Sequence, residues 1–229
     1  MNGIKTPHRR SPDIALLQTR AEPLALSRCG RSRGNMKGPR LTRPKVSSRS
    51  SGRSDLPSAR KRCVNNSVAQ CRYLLSLTEP ILVDLDDSHR ALSPLPDTKT
   101  AGWLIGHLAV TGDFGRRLCS RPPLCPTDWR PKFNPGSRPS ANPDDYPPMD
   151  QLRQKFREAY KNLIPSVANA DAATREALNP VVAAQSSFPS VGEFVDYLLT
   201  GHLGYHVGQL VAWRASVRLG PSRRADAEG

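Results

Sequence analysis

No phenylalanine, tyrosine or tryptophan occurs in the first 62 residues of this chain, and only 3 acidic residues do, against 16 Lys and Arg. That stretch therefore carries a net charge of +13, and its apolar residues are too sparse to offset the entropy of ordering it. Residues 63–229 hold 18 Lys and Arg against 17 Asp and Glu, a net of +1. The +14 of the whole chain is thus a property of one end, and it does not make the remainder a nucleic-acid binder. Residues 1–62 are expected to form a disordered basic tail. Four roles stay open for it: a solvated tail, sequence upstream of a later start at Met36, an organelle transit peptide, or a nucleic-acid arm. The lack of aromatic side chains on which bases could stack counts against the last.

Other scarcities narrow the class further. Cysteine is rare, with five residues at positions 29, 63, 71, 119 and 125 and no C-x-x-C pair. An odd number at such spacings argues against a disulfide framework and against a cysteine-ligated zinc site. A reducing, cytoplasmic environment with free thiols packed as small hydrophobes is the expectation. No run of 18 apolar residues exists, so no membrane span is expected, and the N-terminus lacks the apolar core of a secretory signal. There is no phosphate-cradling glycine loop, no Ser-His-Asp spacing, no pair of inward carboxylates, no internal repeat and no convincing strand.

What is present is helical periodicity. From Asn65 or Asn66 as N-cap, Val68, Cys71, Leu74, Leu75, Ile81, Leu82 and Leu85 recur at helical spacing, with Pro80 expected to kink or split the helix. A second helix is predicted over Thr100–Ser120, capped by Thr98 or Thr100, with Asp113 and Arg116 on the side away from its apolar stripe. Residues 121–149 contain nine prolines, a density at which no regular element is expected. A segment of this length is more often functional than idle. Its large groups Trp129, Phe133 and Tyr146 need a surface to cover, and either a mouth beside a site or the outside of the bundle would serve. A third helix spans about Pro148–Ala168, and a short one is expected near Ala172–Leu178. The last helix opens at Ser190 with the capping box "SVGE" and closes at Leu219, Gly220 and Pro221. The fold class is all-α, a four-helix bundle over residues 63–221, with residues 222–229 as a disordered C-terminus.

Two histidines stand one turn apart inside the apolar stretch "TGHLGYHVGQL", residues 200–210. At 100° per residue, Val191, Val195, Leu198 and His206 all fall within about 40° of His202, whereas Arg214 lies about 120° away. Both imidazoles therefore face the bundle interior. Burying two unpaired imidazoles is costly, and protonating both would set like charges about 6 Å apart. A divalent metal ion resolves this by accepting a lone pair from each neutral ring. His107, central on the apolar stripe of the second helix, can supply a third nitrogen. Core packing is the alternative for an inward histidine. His8 lies in the tail, and His89 is expected to be solvated in a polar helix end or loop. Imidazole ligands suit Zn, Ni, Fe and Cu alike. Tyr205 and Gln209, on the same face, are candidates to orient a substrate; core packing and an interhelical hydrogen bond are their alternative roles.

The stretches "WLIGHLAVTGDF" and "FPSVGEFVDYLLTGHLGYHVGQLVAWRASVRLG" together resemble the DinB-like (damage-inducible) four-helix bundles, over about residues 65–220. In that family one histidine of the second helix and an H-x-x-x-H pair of the last bind a divalent metal, and the matching positions are His107, His202 and His206. The resemblance implies a metal-dependent enzyme, either a transferase using a low-molecular-weight thiol as co-substrate or a hydrolase, acting on a small molecule. A non-catalytic metal-binding or partner-binding bundle is the alternative. Neither nucleic acid nor membrane is an expected partner, and a homodimer is left open. The basic tail and the Pro-rich 121–149 segment lie outside what the resemblance explains.

Overall fold

The computed structural model describes residues 59–95 and 98–220, with side chains described from Val64 onward. The predicted disorder of residues 1–58 and 222–229 falls outside the described residues, whereas 59–62, assigned to the tail, are helical. Four long helical elements carry the molecule, as expected for an all-α bundle: α1 (Ala59–Leu82), α2 (Ala101–Leu118), α4 (Met149–Ala168) and a final composite element. Two short helices stand between them, α3 (Trp129–Phe133) and α5 (Ala172–Glu176). The composite element consists of α6 (Val191–Tyr197), a π-helical stretch (Leu198–His202) and α7 (Leu203–Ser216). Among the described residues the only β pairing is an isolated bridge between Leu178 and Ser190. None of the described helices is long and apolar enough to cross a membrane.

α1 begins six residues earlier than predicted. Asn65 and Asn66 lie inside it, where good helix formers, Ala59, Arg60, Lys61 and Arg62, precede them. Pro80 neither splits nor ends the helix. It falls in the last turn, where only Ile81 and Leu82 of the helix follow the backbone bond that its missing N–H removes. The carbonyls left over at that end are satisfied by arginines from other helices: Arg214 donates to Ile81 O, and Arg153 to Leu82 O and Val83 O.

α2 is the central element, since 15 of its 18 residues are buried. Thr100 caps it, its hydroxyl accepting from the Trp103 amide. Asp113 and Arg116, expected to face water, are buried too. The reason lies downstream. The Asp113 carboxylate accepts from Arg116 Nη1 and from the amides of Leu124 and Cys125, so the start of the Pro-rich segment folds back over that side of the helix.

That segment is also more regular than its proline content implies. α3 forms despite Pro131, because a proline in the first turn of a helix gives up an amide that has no intrahelical partner anyway. Trp129, Phe133 and Tyr146 are all buried, and together they pack against α2. The three described cysteines, Cys71, Cys119 and Cys125, are buried free thiols. Burial pushes Cys71 and Cys125 up to about 12, which keeps both as inert, protonated side chains.

The last helix departs most from a regular reading. Ser190 and Glu193 form the expected capping box. Up to Leu199 the buried residues lie on the predicted face. Beyond the π stretch they are Leu203, His206, Val207, Leu210, Trp213 and Arg214, a set centred roughly 80–100° further round. A π turn holds one residue more than an α turn, and one residue is about 100° of helix rotation. Two expectations fail for that reason. Arg214 is buried, paired with Asp84 at 2.6 Å. Tyr205 turns outward and is 47% exposed.

Candidate metal centre

His107 comes from the middle of α2, His202 from the last π position and His206 from the first turns of α7. All three are buried, and one ligand-type nitrogen from each lies within 4.8 Å of the others. His107 Nε2 and His202 Nε2 stand 3.2 Å apart. Two nitrogens each 2.0–2.1 Å from one tetrahedral ion are separated by about 3.3 Å. The rings of His202 and His206 meet edge to face at 4.5 Å between centroids, as do those of His107 and His206 at 4.6 Å. The group contains no carboxylate or cysteine.

Outer contacts set the orientation of two of the three rings. His107 Nδ1 lies 2.6 Å from the carbonyl of Phe133, to which its N–H donates, leaving the Nε2 lone pair aimed at His202. His206 Nδ1 lies 2.7 Å from Gln209 Oε1. Donation to that amide oxygen frees Nε2 in the same way. This is the outer-shell arrangement that fixes the tautomer of a ligating histidine. His202 Nδ1 is buried without a hydrogen-bond partner.

Two of the rings, His107 and His202, are held neutral. Burial is the first cause for His107, pushed down to about 3, followed by the charge of His206. For His202 burial again comes first, then the charges of His206 and His107, and its basicity falls well below the ordinary imidazole range. Both therefore carry their lone pairs at neutral pH, which is the state a metal requires. The nitrogen separation, the fixed tautomers and the all-imidazole donor set fit a divalent ion; Zn, Ni, Fe and Cu share that chemistry.

Around the group the sequence-predicted residues fall out unevenly. Gln209 is half-buried and in direct contact with His206, while Tyr205 reaches it only through Gln209, whose amide nitrogen donates to the phenol oxygen at 3.0 Å. His89 is not part of the group. It is also largely covered rather than solvated: its ring packs edge-on against Trp213, and its Nδ1 accepts from the Asp86 amide. Trp103, one turn before His107 on the same apolar stripe, stacks on the His107 ring at 4.6 Å with 9° between planes. Tyr197 meets His202 edge-on at 5.8 Å. The Phe133 carbonyl has no side-chain signature, so no reading of residue types could have found it.

A helical bundle whose two inner helices converge on three buried imidazoles has a group that could hold a metal ion. The comparisons then place the chain: residues 70–210, more than half of its length, match the DinB superfamily, and the chain belongs to that family. No curated protein and no solved structure matches it.

Proposed function

We propose that the protein is a divalent-metal-dependent enzyme acting on a small molecule, transferring a low-molecular-weight thiol to an electrophile or hydrolysing its substrate. His107, His202 and His206 would hold the ion. A bound ion would supply Lewis acidity, polarising a substrate oxygen or holding a thiol as thiolate. The carrying observation is the 3.2 Å approach of His107 Nε2 and His202 Nε2, with the far nitrogen of His107 already committed to Phe133 O.

The chain's own residues account for positioning. Phe133 O and Gln209 Oε1 fix the His107 and His206 rings. Gln209 in turn presents Tyr205 at the surface. The Tyr205 oxygen accepts from Gln209 Nε2, so its own hydrogen is left to donate to a substrate approaching from solvent. With no carboxylate in the group, this Tyr205–Gln209–His206 chain is a polar link between the histidines and solvent. The choice of a thiol among co-substrates follows from the family resemblance alone.

Metal analysis of the purified full chain should find about one divalent ion. His107→Ala, His202→Ala and His206→Ala should each lose most of it, and His89→Ala should keep it. Equal loss in all four variants, or in none, would falsify the ligand assignment. Activity is a separate arm, in which several thiols with electrophiles, and a set of hydrolytic substrates, are screened against wild type and His206→Ala. If metal binds and no rate exceeds that of the variant, the bundle is a non-catalytic metal-binding protein.

A further inference from the structure

A hydrogen bond fixes the direction of one N–H and leaves the ring behind it free to rock about that bond. For a ligand-type imidazole the difference matters, because the lone pair on the far nitrogen swings aside as the ring rocks. His107 is held in direction by Phe133 O, 2.6 Å from its Nδ1. It is also held by a contact that uses none of its polar atoms. The Trp103 indole, one turn earlier on α2, lies against the His107 ring at 4.6 Å between centroids with 9° between planes. A flat face that close and that parallel leaves the imidazole no room to tilt toward it.

The indole is itself pinned. Its N–H donates to Ser137 Oγ at 2.9 Å, and the Ser137 hydroxyl donates to Lys132 O. The Lys99 ammonium stands 3.6 Å over the indole ring and donates to Ser137 O. Lys132 and Phe133 are consecutive residues at the end of α3. Their carbonyls are among those that a helix end leaves without an intrahelical partner. One of them accepts the His107 N–H. The other, through Ser137, holds the indole that lies on the same imidazole.

We propose that Trp103 is a positioning residue of the metal centre, fixing the plane of the His107 imidazole, and that Ser137 anchors it. The end of α3 then sets this ligand twice, in direction through Phe133 O and in plane through Trp103. The consequence for an ion rests on the metal-centre reading above, whereas the restraint on the ring belongs to the metal-free chain.

Two measurements on the full chain test it. Competitive zinc titration, with the visible spectrum of the cobalt(II) form as a record of ligand geometry, reads the consequence. The nuclear magnetic resonance signal of the His107 ring N–H in metal-free protein reads the restraint. Trp103→Leu removes the flat face and should weaken zinc binding about tenfold or more, the scale of a lost outer partner, and change the cobalt spectrum. Trp103→Phe keeps a flat face and loses the anchor, and Ser137→Ala loses the anchor alone; each should weaken zinc by a smaller factor. The His107 ring N–H should broaden and exchange faster with solvent in the same order. Ser137 is half-buried, so Ser137→Ala keeps the fold and decides the matter if Trp103→Leu does not fold. The proposal is overturned if folded Trp103→Leu melts lower yet keeps wild-type zinc affinity and cobalt spectrum, which marks a merely structural indole. It is equally overturned if Trp103→Phe loses as much as Trp103→Leu, or if the His107 signal is unchanged in Ser137→Ala. A wild-type chain that binds no zinc would remove the metal centre alone, and the His107 signal would still decide whether Trp103 holds the ring.

Discussion

A methyl group added at residue 106 would stand 2.5 Å from the ring of Phe133, closer than any real side chain tolerates. Gly106 is what lets that ring lie flat on α2, and the ring's position delivers the Phe133 carbonyl to His107. Gly106→Ala should therefore cost about 1–3 kcal/mol of stability through overpacking. It should also weaken zinc affinity by about 10–100-fold, the usual consequence of losing an outer-shell partner. Thermal melts and competitive zinc titration would measure the two effects; a destabilised protein with unchanged zinc affinity would show that the carbonyl does not matter to the ligand. At this scale the three histidines were legible because each sits on an apolar stripe where an unpaired imidazole makes no sense. Gln209 was legible from its place on the same face as His206. The contribution of Phe133 was not, since a backbone carbonyl 26 residues from its partner is supplied by the path of the chain rather than by a residue type.

Among the elements, the last helix departs furthest from a regular pattern. A uniform 100° per residue describes it well through Tyr197 and then places Tyr205 inside and Arg214 outside, the reverse of what is found. Nothing in the composition of Leu198–His202 marks a wider turn, because the π geometry arises from matching two packed faces that differ by one residue in phase. Arg214 then ties the end of α7 to the end of α1 through Asp84 and Ile81 O. The Arg214 hydrogen bonds hold the Asp84 carboxyl below the ordinary carboxylate range. A lowered acid stabilises the fold above its ordinary value and ceases to do so as pH drops through the folded one. Wild type should consequently lose melting temperature on acidification below about pH 4, relative to Asp84→Asn. The variant should be the less stable of the two at pH 7. Parallel melting curves across that range would remove Asp84 from the account.

For the molecule as a whole, the buried core begins at Val64 and ends at Trp213, with Leu219 packed against its edge. A chain running from residue 59 to residue 229 should accordingly melt within a few degrees of the full chain and bind the same amount of metal; a large drop would mean that residues 1–58 contribute to the fold. The four-helix plan was readable from periodicity and caps, whereas the packing of the Pro-rich segment on α2 was not. Its anchors, the Asp113 carboxylate under Leu124 and Cys125 and the Gly106 seat for Phe133, are long-range contacts that proline content conceals. Trp103 gives that packing a thermodynamic meaning. One indole lies on His107 and also donates to Ser137 of the Pro-rich segment, so the packing of that segment and the histidines share a component. By linkage, whatever an ion at the histidines adds to the stability of that packing, the packing adds to ion affinity, in the same direction and to the same extent.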